Sequence, residues 1–174
     1  MKWTIDPSHS TAEFTVRHLM ITNVKGRFGK LEGTVEYDPK RPELTKFEAT
    51  IDAASIDTRD EKRDAHLRSP DFFEVEKYPT LTFRSQEIKK SGDGFTALGE
   101  LTIRGVTKAV TLEIEGPTEE TKDPWGNTRI GASATAKINR KDWGLNWNAA
   151  LEAGGVLVGE TVKISLEVSL VQAK

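Results

Sequence analysis

The sequence predicts an all-β protein, eight antiparallel strands closed into a barrel or packed as a sandwich. Three observations carry this. Most of the 174 residues alternate apolar and polar with period two, the pattern of antiparallel strands with one buried face. Turn signals separate the alternating runs. Several inward positions that a filled barrel would give to Leu or Ile are instead Ala or Gly. An eight-stranded barrel is just wide enough to be filled by its own side chains or to hold one slender ligand. Small inward residues leave volume, and an apolar volume is a ligand cavity. In a sandwich the same alanines would meet bulky Phe and Trp neighbours.

The strands follow in order. Ala12, Phe14, Val16 and His18 alternate with Glu13, Thr15 and Arg17. Leu31, Gly33, Val35 and Tyr37 alternate with Glu32, Thr34, Glu36 and Asp38, and Phe47, Ala49, Ile51 and Ala53 with Glu48, Thr50 and Asp52. Leu81, Phe83 and Ser85 follow Pro79, and Phe95, Ala97, Gly99, Leu101 and Ile103 follow Gly92-Asp93-Gly94. A tight connection at Gly105 leads into Val106, Lys108, Val110, Leu112 and Ile114. Ile130, Ala132, Ala134, Ala136 and Ile138 form the seventh set, and Val162, Ile164, Leu166, Val168 and Leu170 the eighth.

Two segments break the rhythm. Residues 55–70 read as a short helix, with Thr58 and Glu61 as a capping box and Ser69-Pro70 as its stop. Its mixed-sign run Arg59–Asp64 reads as a solvated face. Residues 139–159 form a long aromatic, glycine-punctuated loop. Its Trp143, Leu145, Trp147, Leu151, Val156 and Leu157 need burial, either as a plug in one barrel end or as a lid over a mouth.

Composition excludes several functions. There is no cysteine, hence no disulfide framework, thiolate metal site or cysteine nucleophile. Twenty-five basic against 27 acidic residues give a net charge of −2, unlike the basic face of a nucleic-acid protein. No apolar stretch approaches a membrane span. The 36% hydrophobic and 30% charged content suits a shell better than a thick core. The N-terminus runs straight into an alternating segment without an apolar leader, so the expectation is a cytoplasmic protein as the chain stands, periplasmic if a leader has been removed.

Catalytic patterns are sparse. His9, His18 and His66 are the only imidazoles, and none has metal-ligand spacing; no metal or cofactor is expected. Read as strand neighbours, Ser8, His9 and Ser10 would point to opposite faces and could not form a triad, and Asp6-Pro7-Ser8 reads as a turn. No nucleophile elbow, P-loop or dinucleotide fingerprint occurs. Glu119-Glu120 sits in a solvated loop. The expected protein is not an enzyme. His18, inward beside Phe14 and Val16, is either a satisfied core group or the partner of a ligand's polar head.

Eight fragments in order resemble the YceI-like family: Asp6-x-x-His9-Ser10, Phe14-x-Val16-x-His18, Val24-x-Gly26-x-Phe28, Arg63-Asp64-x-His66-Leu67, Asp71-Phe72-Phe73, Tyr78-Pro79-x-x-x-Phe83, Gly99-x-Leu101-x-Ile103-x-Gly105-Val106-Thr107 and Arg140-x-Asp142-Trp143-Gly144-Leu145. The resemblance runs through the whole chain and implies one domain over residues 1–174. It implies a lipocalin-like eight-stranded antiparallel barrel with a long apolar pore, an isoprenoid lipid ligand with a diphosphate or quinone-type head, and a homodimer. Trp143 stands where the family usually has Phe, a change expected to narrow the pore end.

Alternation and resemblance together assign the ligand tail to Phe14, Val16, Phe47, Ile51, Phe83, Leu101, Ile103, Leu112, Ile114, Ala134, Ile164 and Leu166. The head or mouth falls to Arg17, His18, Arg27, Arg129 and Arg140, since a buried diphosphate without such partners would be prohibitive. The lid or plug is Trp143, Leu145 and Trp147. A carrier or store is the favoured function. An enzyme acting on the lipid, with His18 or His66 and Asp142 as acid–base groups, and a stress or interaction module with a filled barrel are the alternatives.

Overall fold

The computed structural model describes residues 1–19, 21–148 and 157–174. Its strands are β1 (Lys2–Ile5), β2 (Thr11–His18), β3 (Thr22–Phe28), β4 (Leu31–Glu36), β5 (Lys46–Asp52), β6 (Ile56–Asp57), β7 (Thr80–Ser91), β8 (Gly94–Ile103), β9 (Val106–Glu115), β10 (Thr121–Lys122), β11 (Thr128–Asn139) and β12 (Val158–Gln172). The antiparallel ring β11-β9-β8-β7-β5-β4-β1-β12 is closed by the pairing of β11 with β12. A barrel, not a sandwich, is the outcome.

Each run read from the sequence lies in one of eight walls, but some walls are bent strands in two pieces. Along β12, Leu170–Gln172 pair with β1 and residues 158–167 with β2. The Pro7–His9 turn between them, capped by the Asp6 carboxylate on the Ser8 N–H at 3.0 Å, is thus a kink within one wall strand. β3 pairs with β2 and β4 with β1; β6 pairs with β3 and β5 with β4. Of the last two, β5 pairs onward with β7 and β6 does not. At that end the wall parts between β6 and β7.

The segment that fills the gap carries α1 (Glu61–Arg68). The helix is shorter than its sequence signals suggested, and its cap is Asp60, whose carboxylate accepts from the Arg63 N–H at 3.1 Å. Thr58 does not cap it, because its N–H and hydroxyl both donate to the buried carboxylate of Asp64. Nor is the charged run simply a solvated face. Arg63 donates to the Thr58 hydroxyl and carbonyl at 2.8 and 2.7 Å, and Arg68 to the carbonyls of Ala54 and Ile56. Polar side chains therefore fasten this helix to β6, a role that apolar packing fills elsewhere.

Candidate functional site

Two large cavities lie end to end in the barrel. The upper chamber, on the α1 side, encloses about 1560 Å³ counting the space that opens to solvent; the lower chamber encloses about 890 Å³ on the same measure. On most walls, residues that line neither chamber stand between them. On β12, Ile164 lines the upper chamber and Leu166 the lower; on β11, Ile138 lines the upper, Ala134 the lower, and buried Ala136 stands between. Ala12, Phe83, Leu101 and Ile51 line neither chamber, and each falls between the two linings along its own wall. This waist is small-sided at Ala12 and Ala136, which flank β12, and bulky across the barrel.

The twelve expected tail residues therefore divide. Phe14, Val16, Ile103 and Ile164 line the upper chamber; Phe47, Leu112, Ile114, Ala134 and Leu166 line the lower; Phe83, Leu101 and Ile51 belong to the waist. The apolar pore expected from the resemblance is lined in two parts, an upper and a lower chamber. Glycine clears space for the rings. A Cβ on Gly26 would sit 2.2 Å from the Phe14 ring, and one on Gly99 2.4 Å from the Phe83 ring, so each ring lies flat in a notch of the wall. Phe83 also stacks on Phe47 at 5.5 Å.

The five expected mouth residues scatter. Arg17 and His18 line the upper chamber, where Lys62, Arg63, His66 and Asp60 join them. Arg27 and Arg129 line neither chamber, because both are on the outward phase of their strands and have carboxylate partners. Arg27 lies 3.8 Å from Asp57. Arg129 bridges Asp6 and Asp123 at 2.7 Å each. Its guanidinium is the chief reason that both carboxyls are held well below the usual carboxylate range, and they raise its own pKa in return. Arg140 lines the upper chamber with its donors committed. It is buried and donates to the carbonyls of Gly159, Leu145, Trp147 and Val158 at 2.5–3.2 Å. Burial lowers its pKa, while four carbonyl dipoles solvate the charge.

Arg140 thus ties both stems of the aromatic loop. The side chain of Asn148 closes the same base, accepting from the Val158 N–H and donating to its carbonyl. Trp143 is buried and donates its Nε1–H to the Leu101 carbonyl at 2.9 Å; Leu145 is buried in the upper wall. These two plug the barrel as core. Trp147 stands nearer the mouth, its ring 4.6 Å from His66 and 5.5 Å from Phe72. Leu151 and Val156 lie outside the described residues.

Sequence reasoning missed the β6–β7 contribution: Leu67, Phe72, Phe73 and Leu81 line the upper chamber. The available signal was Phe72-Phe73 directly after a helix stop, two large apolar residues in a polar segment. It also separated Ser8 from His9, which the tight turn brings together. The Ser8 hydroxyl and the Asp6 carboxylate both meet His9 at Nδ1, 3.1 and 2.9 Å away. A relay needs the two ring nitrogens to serve different partners, so this cluster is a turn. Among the described residues no group of three His, Asp or Glu is placed to hold a metal, and no helix is long and apolar enough to cross a membrane.

Comparison with known proteins agrees with the architecture. A UPF0312 protein of Staphylococcus aureus (strain MSSA476) is 38% identical over 162 residues, 92% of each chain. A UPF0312 protein of Yersinia pestis (strain Pestoides F) is 39% identical, over 95% of this chain and 83% of its own. Among solved structures, Burkholderia cenocepacia BcnA superposes with a TM-score of 0.81 at 22% identity, over 95% of this chain and 98% of its own. The Campylobacter jejuni YCEI protein gives 0.76 at 31%, over 91% and 90%. A polyisoprenoid binding domain from Saccharophagus degradans gives 0.69 at 16%, over 98% of both. The model of the YceI-like domain matches residues 3–170, and the chain belongs to the YceI-like family.

Proposed function

We propose that the protein binds a long-chain isoprenoid lipid inside the barrel, as carrier or store, with the tail passing the waist into the lower chamber and the head at the α1 mouth. The observation that carries this is two apolar chambers end to end, with charged side chains lining only the upper one. The upper chamber alone has the size of an ordinary small-molecule site, ~300–1,000 Å³, and the lower is the narrower of the two. The likeness to a polyisoprenoid binding domain supports the same reading.

At ~0.8 kcal/mol per buried CH₂, each five-carbon unit could contribute a few kcal/mol gross. Several units would pass the ~18–21 kcal/mol limit of real affinities, so ordering and desolvation must offset much of it. Affinity then comes from the tail and saturates with its length. The head is oriented by Arg17 and His18, with Lys62 and Arg63 beside them. A polyprenyl diphosphate suits these cations and a quinone-type head the histidines. The protein acts by binding alone. A second reading, an enzyme acting on the lipid, draws on His66, whose Nε2 lies 2.8 Å from Asp71 in the upper wall; turnover lost in His66→Gln with binding intact would favour it.

The test is mass spectrometry of an organic extract from gently purified protein, beside an unrelated barrel. A stoichiometric polyisoprenoid is expected, and Ala134→Leu with Ile164→Trp should abolish it. A blank extract with no uptake of added isoprenoid overturns the reading in favour of a barrel that works through its surface.

A further inference from the structure

The tip that joins β2 to β3 lacks the glycine that two other hairpins carry. The β7–β8 turn has Gly92 and the β8–β9 turn Gly105 at positive φ, the latter beside Arg104 at +51°, as tight hairpins require. The β2–β3 tip reads Leu19-Met20-Ile21. Leu19 holds φ at +54°, a conformation that costs little for glycine and more for a bulky side chain. Leu19 is 39% exposed and Ile21 70%. Neither is a frayed end: the Leu19 N–H donates to the Leu157 carbonyl at 2.8 Å and the Ile21 N–H to His18 at 3.2 Å. A local rule broken without a packing gain marks a functional surface. This tip directly follows Arg17 and His18 of the upper chamber.

A second observation lies on the outer wall behind it. The antiparallel register sets Lys137 opposite Lys163, Lys163 opposite Thr15, and Thr15 opposite Lys25. The three lysines form one outward row across four strands. Like charges directly opposite one another in a sheet are unfavourable, and among the described residues none of these three cations has an ion pair. Glu160, at the mouth, is paired with Lys141 at 2.8 Å. The outward Glu13 and Glu113 lie one step farther from the tip on their strands. At ~3.4 Å per residue the row stands roughly 15 Å behind the apex, close enough for head-group charge to act on it once the apex is in a bilayer.

We propose that the β2–β3 tip inserts into a lipid bilayer and that the basic row holds the barrel against anionic head groups, so that the upper mouth opens onto the membrane. A protein partner would ask for matched carboxylates, whereas unpaired charge spread over a curved wall suits a diffuse anionic surface. A membrane is also where an apolar tail can enter the mouth without crossing water. That last point rests on the lipid reading; the docking itself does not.

The test is co-sedimentation of the full chain with phosphatidylcholine vesicles and with phosphatidylcholine–phosphatidylglycerol vesicles. Partition is expected onto the anionic vesicles, weakening as salt rises. Ile21→Asp should lower it roughly tenfold or more. The pair Lys137→Gln and Lys163→Gln should lower it about tenfold on anionic vesicles alone and flatten the salt dependence. Both variants should take up an isoprenoid from detergent solution as the parent chain does. Equal partition of Ile21→Asp and parent overturns the proposal. Partition onto neither vesicle does the same and leaves the tip to a protein partner. Uptake lost in every chain while partition persists removes the lipid reading and leaves the docking standing.

Discussion

The two chambers share a barrel and differ in how their walls are made. Around the lower chamber the hydrogen-bonded ring is complete, and the lining is apolar apart from Tyr37, Thr45 and Ser133. Burial, helped by Asp38, raises the Tyr37 pKa, so that wall stays neutral. Around the upper chamber the ring parts between β6 and β7, and α1, Phe72-Phe73 and the Trp143–Trp147 segment complete it. Where strands close a barrel, backbone hydrogen bonds set the shape and side chains only fill it. Where they part, side-chain hydrogen bonds must do the backbone's work, and polar groups enter the lining as a result. The lower chamber is suited to hydrocarbon alone, the upper to a ligand with two ends.

The largest effect should come from removing the side chain that most replaces backbone pairing. Arg140→Met leaves the carbonyls of Gly159, Leu145, Trp147 and Val158 without their donor. Unsatisfied buried groups cost about 1–3 kcal/mol each, partly recovered by relaxation, so a loss of about 3 kcal/mol is expected. For a chain of this length that lowers Tm by roughly 10 °C, measurable by circular dichroism. Release of bound lipid should quicken as well. A variant with unchanged Tm would show that the upper wall does not depend on its side-chain bonds.

The waist is where the two regions can be separated. Ala136→Leu fills the small side of the layer between the chambers. A tail long enough to reach the lower chamber should then bind ten- to a hundredfold more weakly, the loss of a few buried methylenes. A tail that ends in the upper chamber should bind as before. Titrating a series of isoprenoid alcohols of rising length reads this directly. An equal loss for every length would mean that the lower chamber takes no part.

How far each region could be read from sequence follows the same division. The lower chamber was legible because its residues alternate along long strands, so Phe47, Leu112, Ile114, Ala134 and Leu166 could be named from period two together with the family resemblance. The upper chamber was half legible. Phe14, Val16, Ile103 and Ile164 alternate, but Leu67, Phe72 and Phe73 come from a short helix and a turn, where no period marks the inward face. The arginines were the hardest, since sequence shows the charge and not its partner. Arg129 and Arg140 look alike in one dimension. One is held by two carboxylates on the outer wall and the other by four carbonyls within it. The waist was invisible because it is a matter of which inward residues share a level, and that depends on register between strands.

The smallest effect should fall at the lower end, where one ion cluster ties the β1–β2 kink to the β10–β11 turn. Arg129 holds the carboxyls of Asp6 and Asp123 well below the ordinary range. A group whose pKa is lowered by folding stabilises the protein above its unfolded pKa, near 4 for Asp, and loses that contribution as pH falls toward the folded value. Arg129→Met should therefore be less stable than the parent at neutral pH, by a margin that is constant down to about pH 5 and shrinks as pH falls further. Urea denaturation at a series of pH values measures the margin. A margin that stayed constant to low pH would show that Arg129 acts there through packing and not through the two carboxylates.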